Sequence, residues 1–470
     1  MRERGLAPEF STAVHAQVQA LDGPATAHGE GISDLRHVPW CSIDNDDSRD
    51  LDQLSACEIL PGGAVKIWVA VADVDALVHP GSAIDAHAHQ NTTSVYTGAR
   101  IFPMLPERLS YNLTSLNQGE DRLAVVTAMV FNPDASLAGA TVLRACVRNR
   151  AQLAYDAVSA WLDGKAELPA AAHAIDGMAA QLRTQDAVAQ QLRARRHAQG
   201  ALEFETLQPR AVFDGEEVVD IVQQPHNRAR QLIEELMIAT NGCNAHFLAG
   251  TGAVALRRVV RSPQRWQRIV DVASDKGVEL PLQPDGPALE AFLARERQRD
   301  PLRFPDLSLV IVKLMGRGEY VVERPDGAPI GHFGLAVRDY THSTAPNRRY
   351  PDLITSRLIK AALAHQQPPY SPSELADLAL HCTQQEDAAQ KVERRVRKSE
   401  AALVLETRIG HTFEGIVTGA DPQSTWVRTF TPPVEGKLVG NPPHLDIGQR
   451  LKLRLVVADV EHGFIDFVLS

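Results

Sequence analysis

The amino-acid sequence predicts a mixed α/β (α+β) domain followed by a small OB-type β-barrel. Three observations carry this. Apolar, strand-like runs at Val65–Val74 and Leu123–Phe131 are interleaved with long helical patterns, the clearest over 228–248 and 373–409. From His411 onward the pattern changes to five short alternating segments separated by Gly, Asp, Asn and Pro turns. With 470 residues, 44% of them hydrophobic, the chain can bury one large core and still carry a second domain.

In chain order, residues 1–22 suggest one short helix, Ala13 to Leu21, stopped by Asp22-Gly23-Pro24. Residues 23–33 read as a linker. The acidic stretch Ser42 to Gln53 then places five aspartates within nine residues, answered locally by Arg49 alone. At an effective dielectric near 20, two carboxylates ~5 Å apart repel by roughly 3 kcal/mol. Gathering them therefore needs protonation or a cation, and hard carboxylate oxygens suit Mg²⁺ or Mn²⁺. The alternatives are a solvated acidic loop and a helix-loop-helix calcium loop. The calcium loop fails, because Arg49 stands where Gly is needed and Ser55 where Glu is needed. Ile43 precedes Asp44, and Asp50-Leu51-Asp52 alternates with the period that sends two aspartates to one side of an extended segment. Carboxylates on ordered backbone beside a buried strand read as a site.

The turn His79-Pro80-Gly81-Ser82 leads into a helix whose His87 and His89 lie on different sides and read as surface histidines. Tyr96, taken alone, is a core or surface tyrosine. Residues 151–199 are mostly helical with breaks at Gly164 and Pro169; Arg183, Arg193, Arg195 and Arg196 crowd the end of that region. A helix C-terminus accounts for some of them, and phosphate binding is the other reading. Leu232, Ile233, Leu236 and Met237 make 228–248 an amphipathic helix that also carries Glu234 and Glu235. Further on, Pro346 and Pro351 bracket Arg348 and Arg349, and a proline-held loop can present a guanidinium to a phosphate rigidly. Within 373–409, Lys391 to Lys398 packs five cations into eight positions, either a solvated face or one turned to nucleic acid. The terminal strands are expected at Phe413–Thr418, Thr425–Phe430, Lys437–Val439, Arg450–Asp459 and Phe464–Leu469. Phe413, Trp426 and Phe430 could stack on bases or fill the barrel.

A net charge of −10 means that any nucleic-acid contact must come from local basic patches. The five cysteines are scattered without a CxxC pair, which argues against a disulfide framework or zinc site and for a reducing cytoplasm. Residues 1–20 carry charges and no signal-like apolar core, and the longest apolar runs are too short to cross a bilayer. The expectation is a soluble, cytoplasmic monomer.

These blocks together resemble the ribonuclease II / ribonuclease R family of exoribonucleases, whose RNB catalytic domain has a signature of an apolar residue and Asp, then Asp at +6, +8 and +9. Asp44, Asp50 and Asp52 fall in register, with Gln53 where the family has its fourth Asp. Ile101 to Ser110, Gly200-Ala201-Leu202-Glu203-Phe204 and Tyr340 to Leu353 are similar to family blocks in the same order. Phe413-Glu414-Gly415-Ile416-Val417 and Gly463 to Phe467 resemble the family's terminal S1-type domain. The stretch before Asp44 is expected to be too short for the paired β-barrels that precede the catalytic region in many relatives.

The resemblance implies an RNB-type catalytic domain over 31–405, an S1-like OB barrel over 406–470, and a short helical extension over 1–30. It further implies processive 3′→5′ hydrolysis of single-stranded RNA to nucleoside 5′-monophosphates, assisted by Mg²⁺ or, in its place, Mn²⁺. Asp44, Asp50 and Asp52 would be metal ligands and catalytic residues, and Arg348 the clamp on the scissile phosphate. Tyr96 would stack on a base near the 3′ end, with Leu202 at the place of an opposing aromatic. Glu235 would accept from ribose hydroxyls, and Glu393 would lie near the terminal nucleotide. An RNA-binding protein of the same fold with weak or lost catalysis is the alternative that Gln53 supports. A phosphodiesterase for small nucleotides is a third reading, opposed by Tyr96 and the barrel.

Overall fold

The structure is a computed structural model that describes residues 1–26, 31–98, 100–205, 209–214, 217–223, 227–301, 303–324, 327, 330–421, 424–440, 445 and 448–470. Its centre is a seven-stranded mixed sheet. The first four strands are β1 (Ile32–Asp34), β2 (Cys41–Asp44), β3 (Gln53–Ile59) and β4 (Val65–Ala72). A separate pair, β5 (Val95–Tyr96) and β6 (Ile101–Phe102), precedes β7 (Asp121–Phe131), β8 (Leu137–Arg148) and β9 (Ala151–Ala154). The sheet order is β1-β8-β7-β4-β3-β2-β9, with the outermost pairs β1–β8 and β2–β9 parallel and the inner pairs antiparallel.

Both faces of this sheet are covered, which explains why its strands read as continuous apolar runs. On β4, Ile67, Val69 and Val71 join one apolar cluster with Leu182 of the helix Met178–Ala198 and Leu232 and Leu236 of the helix Arg228–Gly250. Ala70 and Ala72, on the other side, join a second cluster with Leu353, Ile354 and Leu358 of the helix Tyr350–Leu363. The period of two along one strand thus sorts its side chains into two cores.

Two further pairs follow, β10 (Pro209–Asp214) with β11 (Glu217–Gln223) and β12 (Ala255–Val259) with β13 (Glu319–Glu323). Trp266, Leu289, Phe292, Phe304 and Ile311 tie the helices Trp266–Ser274, Gly286–Arg299 and Phe304–Met315 into a core of their own. The long helix Pro372–Glu406 starts with a capping box between Ser371 and Glu374. Its early residues Leu375, Ala379 and Cys382 pack into the sheet cluster, and its late residues Ala401, Ala402, Val404 and Leu405 into the core of the barrel. That barrel is closed by β14 (Thr412–Asp421), β15 (Ser424–Thr429), β16 (Glu435–Leu438), β17 (Arg450–Asp459) and β18 (Phe464–Leu469) in the order β14-β15-β16-β18-β17.

The mixed α/β fold with an S1-like barrel at its end is therefore present. The reading of His87 and His89 as surface residues is corrected. His87 is buried against Phe10 with ring centroids 4.4 Å apart, and His89 stacks on His381 at 4.1 Å. They do leave the helix on different sides, but both sides are packed. Among the described residues, no helix is long and apolar enough to cross a membrane.

Candidate active site

The parallel pairing of β2 with β9 brings the carboxyl ends of two strands together, with Asp44 beside Ala154. The chain then makes an exposed turn that carries Asp46 and Asp47 away to solvent. It returns through Asp50-Leu51-Asp52, where Leu51 is buried and pinned at both ends: its N–H donates to Ser115 Oγ at 3.0 Å, and its carbonyl accepts from Leu116 N at 3.0 Å. A fixed Leu51 holds the two flanking aspartates in place. Continuing the Cys41–Ser55 register of β2 and β3 sets Asp52 opposite Asp44 and Gln53 opposite Ile43. Gln53 also pairs with Val71 across β3–β4, and both Ile43 and Val71 belong to the apolar cluster under the helix Arg228–Gly250. Gln53 therefore lies on the other face of the strand from Asp52.

Arg348 arrives from a loop held by many short bonds. Asp352 Oδ1 accepts from the N–H groups of Thr344 and Ala345 and from Arg349 Nη2, each at 2.8 Å. The carbonyl of Arg348 accepts from Ser94 N at 3.0 Å and Thr93 Oγ1 at 3.1 Å, which ties this loop to the strand leading into Tyr96. Asn347 N donates to Asp52 Oδ1 at 2.9 Å, and Arg348 Nε lies 3.2 Å from Asp52 Oδ2. That ion pair lacks hydrogen-bond alignment, so Asp52 Oδ2 and likewise Asp44 Oδ2 are buried without a hydrogen-bond partner among the described residues. Tyr96 is 39% exposed, and its hydroxyl stands 3.5 Å from Asp50 Oδ2. Its N–H donates to Glu393 Oε1 at 2.9 Å, so Glu393 supports the tyrosine from the long helix.

The electrostatics are those of an under-compensated cluster. Burial pushes Asp44 up to about 6 and Asp52 up to about 7, against the opposing pull of Arg348, and Asp50 adds to both by repulsion. Burial raises Asp50 as well. Among the described residues, three carboxylates face the one guanidinium that acts on all of them, a deficit of two positive charges. Orphaned buried carboxylate oxygens and that deficit fit a hard divalent cation in both charge and donor chemistry. The three aspartates do not bring one oxygen each within 4.8 Å of one another; among the described residues, the group that does so is His197, Glu203 and Glu290. Mutual repulsion keeps unneutralised carboxylates apart. Glu203, by contrast, is already paired with Arg193 and Arg297, and Glu290 accepts from Glu203 N at 2.9 Å, so that group is neutralised from within.

Glu235 is brought to a different place from the aspartates. It is 3% exposed, and Arg196 grips both its oxygens through Nε and Nη2. The arginines of the helix Met178–Ala198 have partners within the chain too: near its end Arg193 pairs with Glu203 and Arg195 with Asp134, and in its second turn, away from the others, Arg183 covers the Trp161 ring. Leu202 packs into the cluster of Trp266 and Phe292 and offers no face to a base. In the barrel, Phe413 packs edge-on against Phe467, Lys398 covers Trp426 and Arg450 covers Phe430.

Sequence reasoning missed Tyr155 and Arg230. Tyr155 follows β9 directly and so reaches the neighbourhood of Asp44; burial, then the Asp44 charge, push its hydroxyl up to about 12. The Arg230 guanidinium lies 4.6 Å over the Tyr155 ring and donates to Asn45 Oδ1 at 2.6 Å. No local pattern announces either residue, because β2–β9 pairing brings Tyr155 near across more than a hundred residues and Arg230 comes from the first turn of the helix Arg228–Gly250.

Comparison with known proteins gives one picture. A family model described as the RNB domain matches residues 32–365, and one described as the RNase II-type exonuclease C-terminal S1 domain matches residues 411–470. Ribonuclease R of Vibrio cholerae serotype O1 is 31% identical over 476 residues, covering 96% of this chain and 57% of the relative. Ribonuclease R of Escherichia coli K12 is 31% identical over 433 residues, covering 88% of this chain and 52% of the relative. The chain thus spans about half the length of the curated relatives it matches. Among solved structures, Mycoplasma genitalium RNase R in complex with ribose methylated single-stranded RNA is similar in fold. Its TM-score is 0.90 at 23% identity, over 100% of this chain and 76% of that one.

Proposed function

We propose, on the premise that this chain belongs to the RNB-domain family, that it is a 3′→5′ exoribonuclease. It would hydrolyse single-stranded RNA processively to nucleoside 5′-monophosphates, in RNA turnover. The observation that supports this most is the aspartate cluster, Asp52 buried and Asp44 and Asp50 partly so, with Arg348 the cation that acts on all three among the described residues and the 39%-exposed Tyr96 beside it. Asp44, Asp50 and Asp52 would hold Mg²⁺, or Mn²⁺ in its place. Such a cation, when bound, supplies Lewis acidity at the phosphate and lowers the pKa of a bound water.

The chain's own residues do the rest. Arg348, its side chain 42% exposed and oriented by Asp52, would clamp the scissile phosphate and stabilise charge as it develops. Tyr96 would stack on a base near the 3′ end, which suits a sequence-tolerant enzyme because every base has a π-face. Glu393 positions that tyrosine through its backbone N–H. Glu235 would accept from a ribose hydroxyl while still paired with Arg196, since each carboxylate oxygen has a second lone pair.

The test is to incubate a 5′-labelled single-stranded RNA with Mg²⁺, Mn²⁺ or chelator and follow its length. Stepwise shortening that stops in chelator is expected. Asp52→Asn should abolish cleavage while RNA affinity in a gel shift stays within a few-fold, because no RNA-stacking group is removed. Binding lost in parallel with cleavage would overturn the role given to Asp52. Binding without shortening by the parent protein would establish the RNA-binding alternative instead.

A further inference from the structure

The aspartate cluster has a tyrosine and an arginine at each end. At one end Tyr96 stands by Asp50 and Arg348 by Asp52. At the other, Tyr155 follows Ala154, which lies beside Asp44, and the Arg230 guanidinium lies 4.6 Å over the Tyr155 ring. The two ends are distinct: the Asp50 and Asp52 charges act on the Tyr96 hydroxyl, and the Asp44 charge acts on that of Tyr155. In the proposed reaction the first end serves the scissile phosphate and the terminal base, and the second is unused.

Arg230 is a cation without a carboxylate. Two residues earlier, Arg228 grips both oxygens of Asp186, through Nε at 3.0 Å and Nη2 at 2.6 Å. Among the described residues no acid makes an ion pair with Arg230; its hydrogen-bond partner is the neutral amide of Asn45, Nη2 to Oδ1 at 2.6 Å. Nor does it balance the aspartates, since the cation that acts on Asp44 is Arg348. The ring and the amide hold the guanidinium at the rim of the site, where Arg230 and Tyr155 are part-exposed and Asn45 is exposed. Arg230 Nε is buried without a hydrogen-bond partner among the described residues. A ligand would therefore meet the Nη1 and Nη2 edge, where Asn45 takes one N–H. A guanidinium held on a ring in this way is oriented in advance for an anion with paired acceptor oxygens.

The substrate supplies such an anion. With the terminal base on Tyr96 and the scissile phosphate at the aspartates and Arg348, the RNA leaves the cluster on the side away from Tyr96. The first phosphate it carries past that side links the second and third nucleotides from the 3′ end. We propose that Arg230 holds this phosphate, one linkage 5′ of the cut. The inference rests on the exonuclease reading of the same site, and it adds a requirement to it. An RNA with a charged linkage beyond the scissile one is held at two phosphates, whereas a dinucleotide ending in a 5′-hydroxyl is held at one.

The experiment follows single-turnover removal of the last nucleotide from a short single-stranded RNA by the full chain. Three versions of the RNA are compared: all phosphodiester, a neutral methylphosphonate one linkage 5′ of the cut, and the same group one linkage further on. In the parent, the first neutral linkage should raise the RNA concentration for half-maximal rate at least about tenfold, the scale of one charge-assisted contact. Arg230→Gln should raise it by a similar factor for the natural RNA and should no longer distinguish the natural RNA from the first neutral version. Arg230→Lys should keep part of the distinction, and the more distant neutral linkage should affect parent and variants alike. A parent indifferent to the first neutral linkage would overturn the proposal. So would a penalty that persists undiminished in Arg230→Gln, the mark of an arginine that only supports Tyr155. A parent that removes no nucleotide from the natural RNA would instead sink the exonuclease reading. Gel shifts of the same RNAs in chelator would then decide by affinity whether Arg230 senses the linkage.

Discussion

Two triplets of buried or part-buried aspartates stand on this fold, and they are neutralised in opposite ways. Asp73, Asp75 and Asp85 meet Arg144, Arg357 and Lys360, three acids against three bases. Lys360 Nζ donates to Asp73 and Asp75 at 2.7 Å each, and Arg357 donates to Asp75 and Asp85 at 2.8 Å each. Arg144 reaches Asp73 at 3.2 Å, and Tyr350 and Gly81 N complete Asp85 at 3.1 and 2.8 Å. Burial pushes Asp75 up, but Lys360 and Arg357 more than reverse it and hold the acid below its usual range. At Asp44, Asp50 and Asp52 the same residue type, similarly enclosed, is pushed up and leaves oxygens orphaned. The difference teaches that burial and acidity do not mark a site; the uncompensated charge does. One triplet is an internal brace, and the other is two positive charges short, the charge of the cation it is proposed to take.

The comparison can be broken most directly at the brace. Arg357 is buried with each guanidinium nitrogen engaged, by Asp75, Asp85, Tyr370 and the carbonyl of Val78. Arg357→Met should lower unfolding stability by about 3–5 kcal/mol, because it leaves the buried Asp85 with no cation and takes one of the two from Asp75. The loss, read by urea titration, should be the same with Mg²⁺ or with chelator. A loss under about 1 kcal/mol, the range of a surface pair, would mean that the brace is no brace and that charge balance does not separate the two triplets.

At the aspartate site the expected effect is on rate. Arg348→Ala should lower single-turnover cleavage by more than about 10²-fold, the scale of one lost transition-state donor. Arg348→Lys should restore little, since the planar fork that meets phosphate is gone. Full rescue by lysine would reduce Arg348 to bulk charge and make its loop, with all its bonds to Asp352 and Thr93, incidental.

The two triplets also differ in how far the sequence disclosed them. Asp44, Asp50 and Asp52 were legible because a local period and a family signature coincide within nine residues. The barrel strands Arg450–Asp459 and Phe464–Leu469 were legible because alternation and turns are local too. The brace was not, since Asp75 and Arg357 are 282 residues apart and meet only after the sheet and the helix Tyr350–Leu363 have packed. Strand β8 escaped notice because Leu137 to Ala140 are exposed and its apolar run begins late. Glu235 shows what a local pattern leaves out. A family pattern pointed to a ligand for RNA, and it could not reveal that Arg196 already grips the carboxylate.

Gln53 offers the finest test of the comparison, with the smallest expected effect. It occupies the family's fourth acidic position, yet it shares its strand face with Ile43 and Val71, while Asp52 faces Asp44. On this geometry, residue 53 influences the cation through space and does not ligate it. At an effective dielectric near 20, a unit charge ~8 Å from a divalent cation interacts by roughly 4 kcal/mol before screening. Salt and the cost of ionising a residue only 6% exposed both reduce that. Gln53→Asp should therefore lower the metal concentration for half-maximal single-turnover rate by about three- to tenfold at low ionic strength. Most of that gain should vanish when salt is raised toward ~1 M, where the screening length falls to about 3 Å. A ligating carboxylate would keep its advantage in salt, so a gain that persists would place residue 53 in the metal shell and overturn the two-face assignment. Identical curves at low salt would show that charge at this position does not reach the site at all. An inactive parent switched on by the aspartate would instead identify the natural chain as the catalytically silent RNA-binder, and residue 53 as the reason.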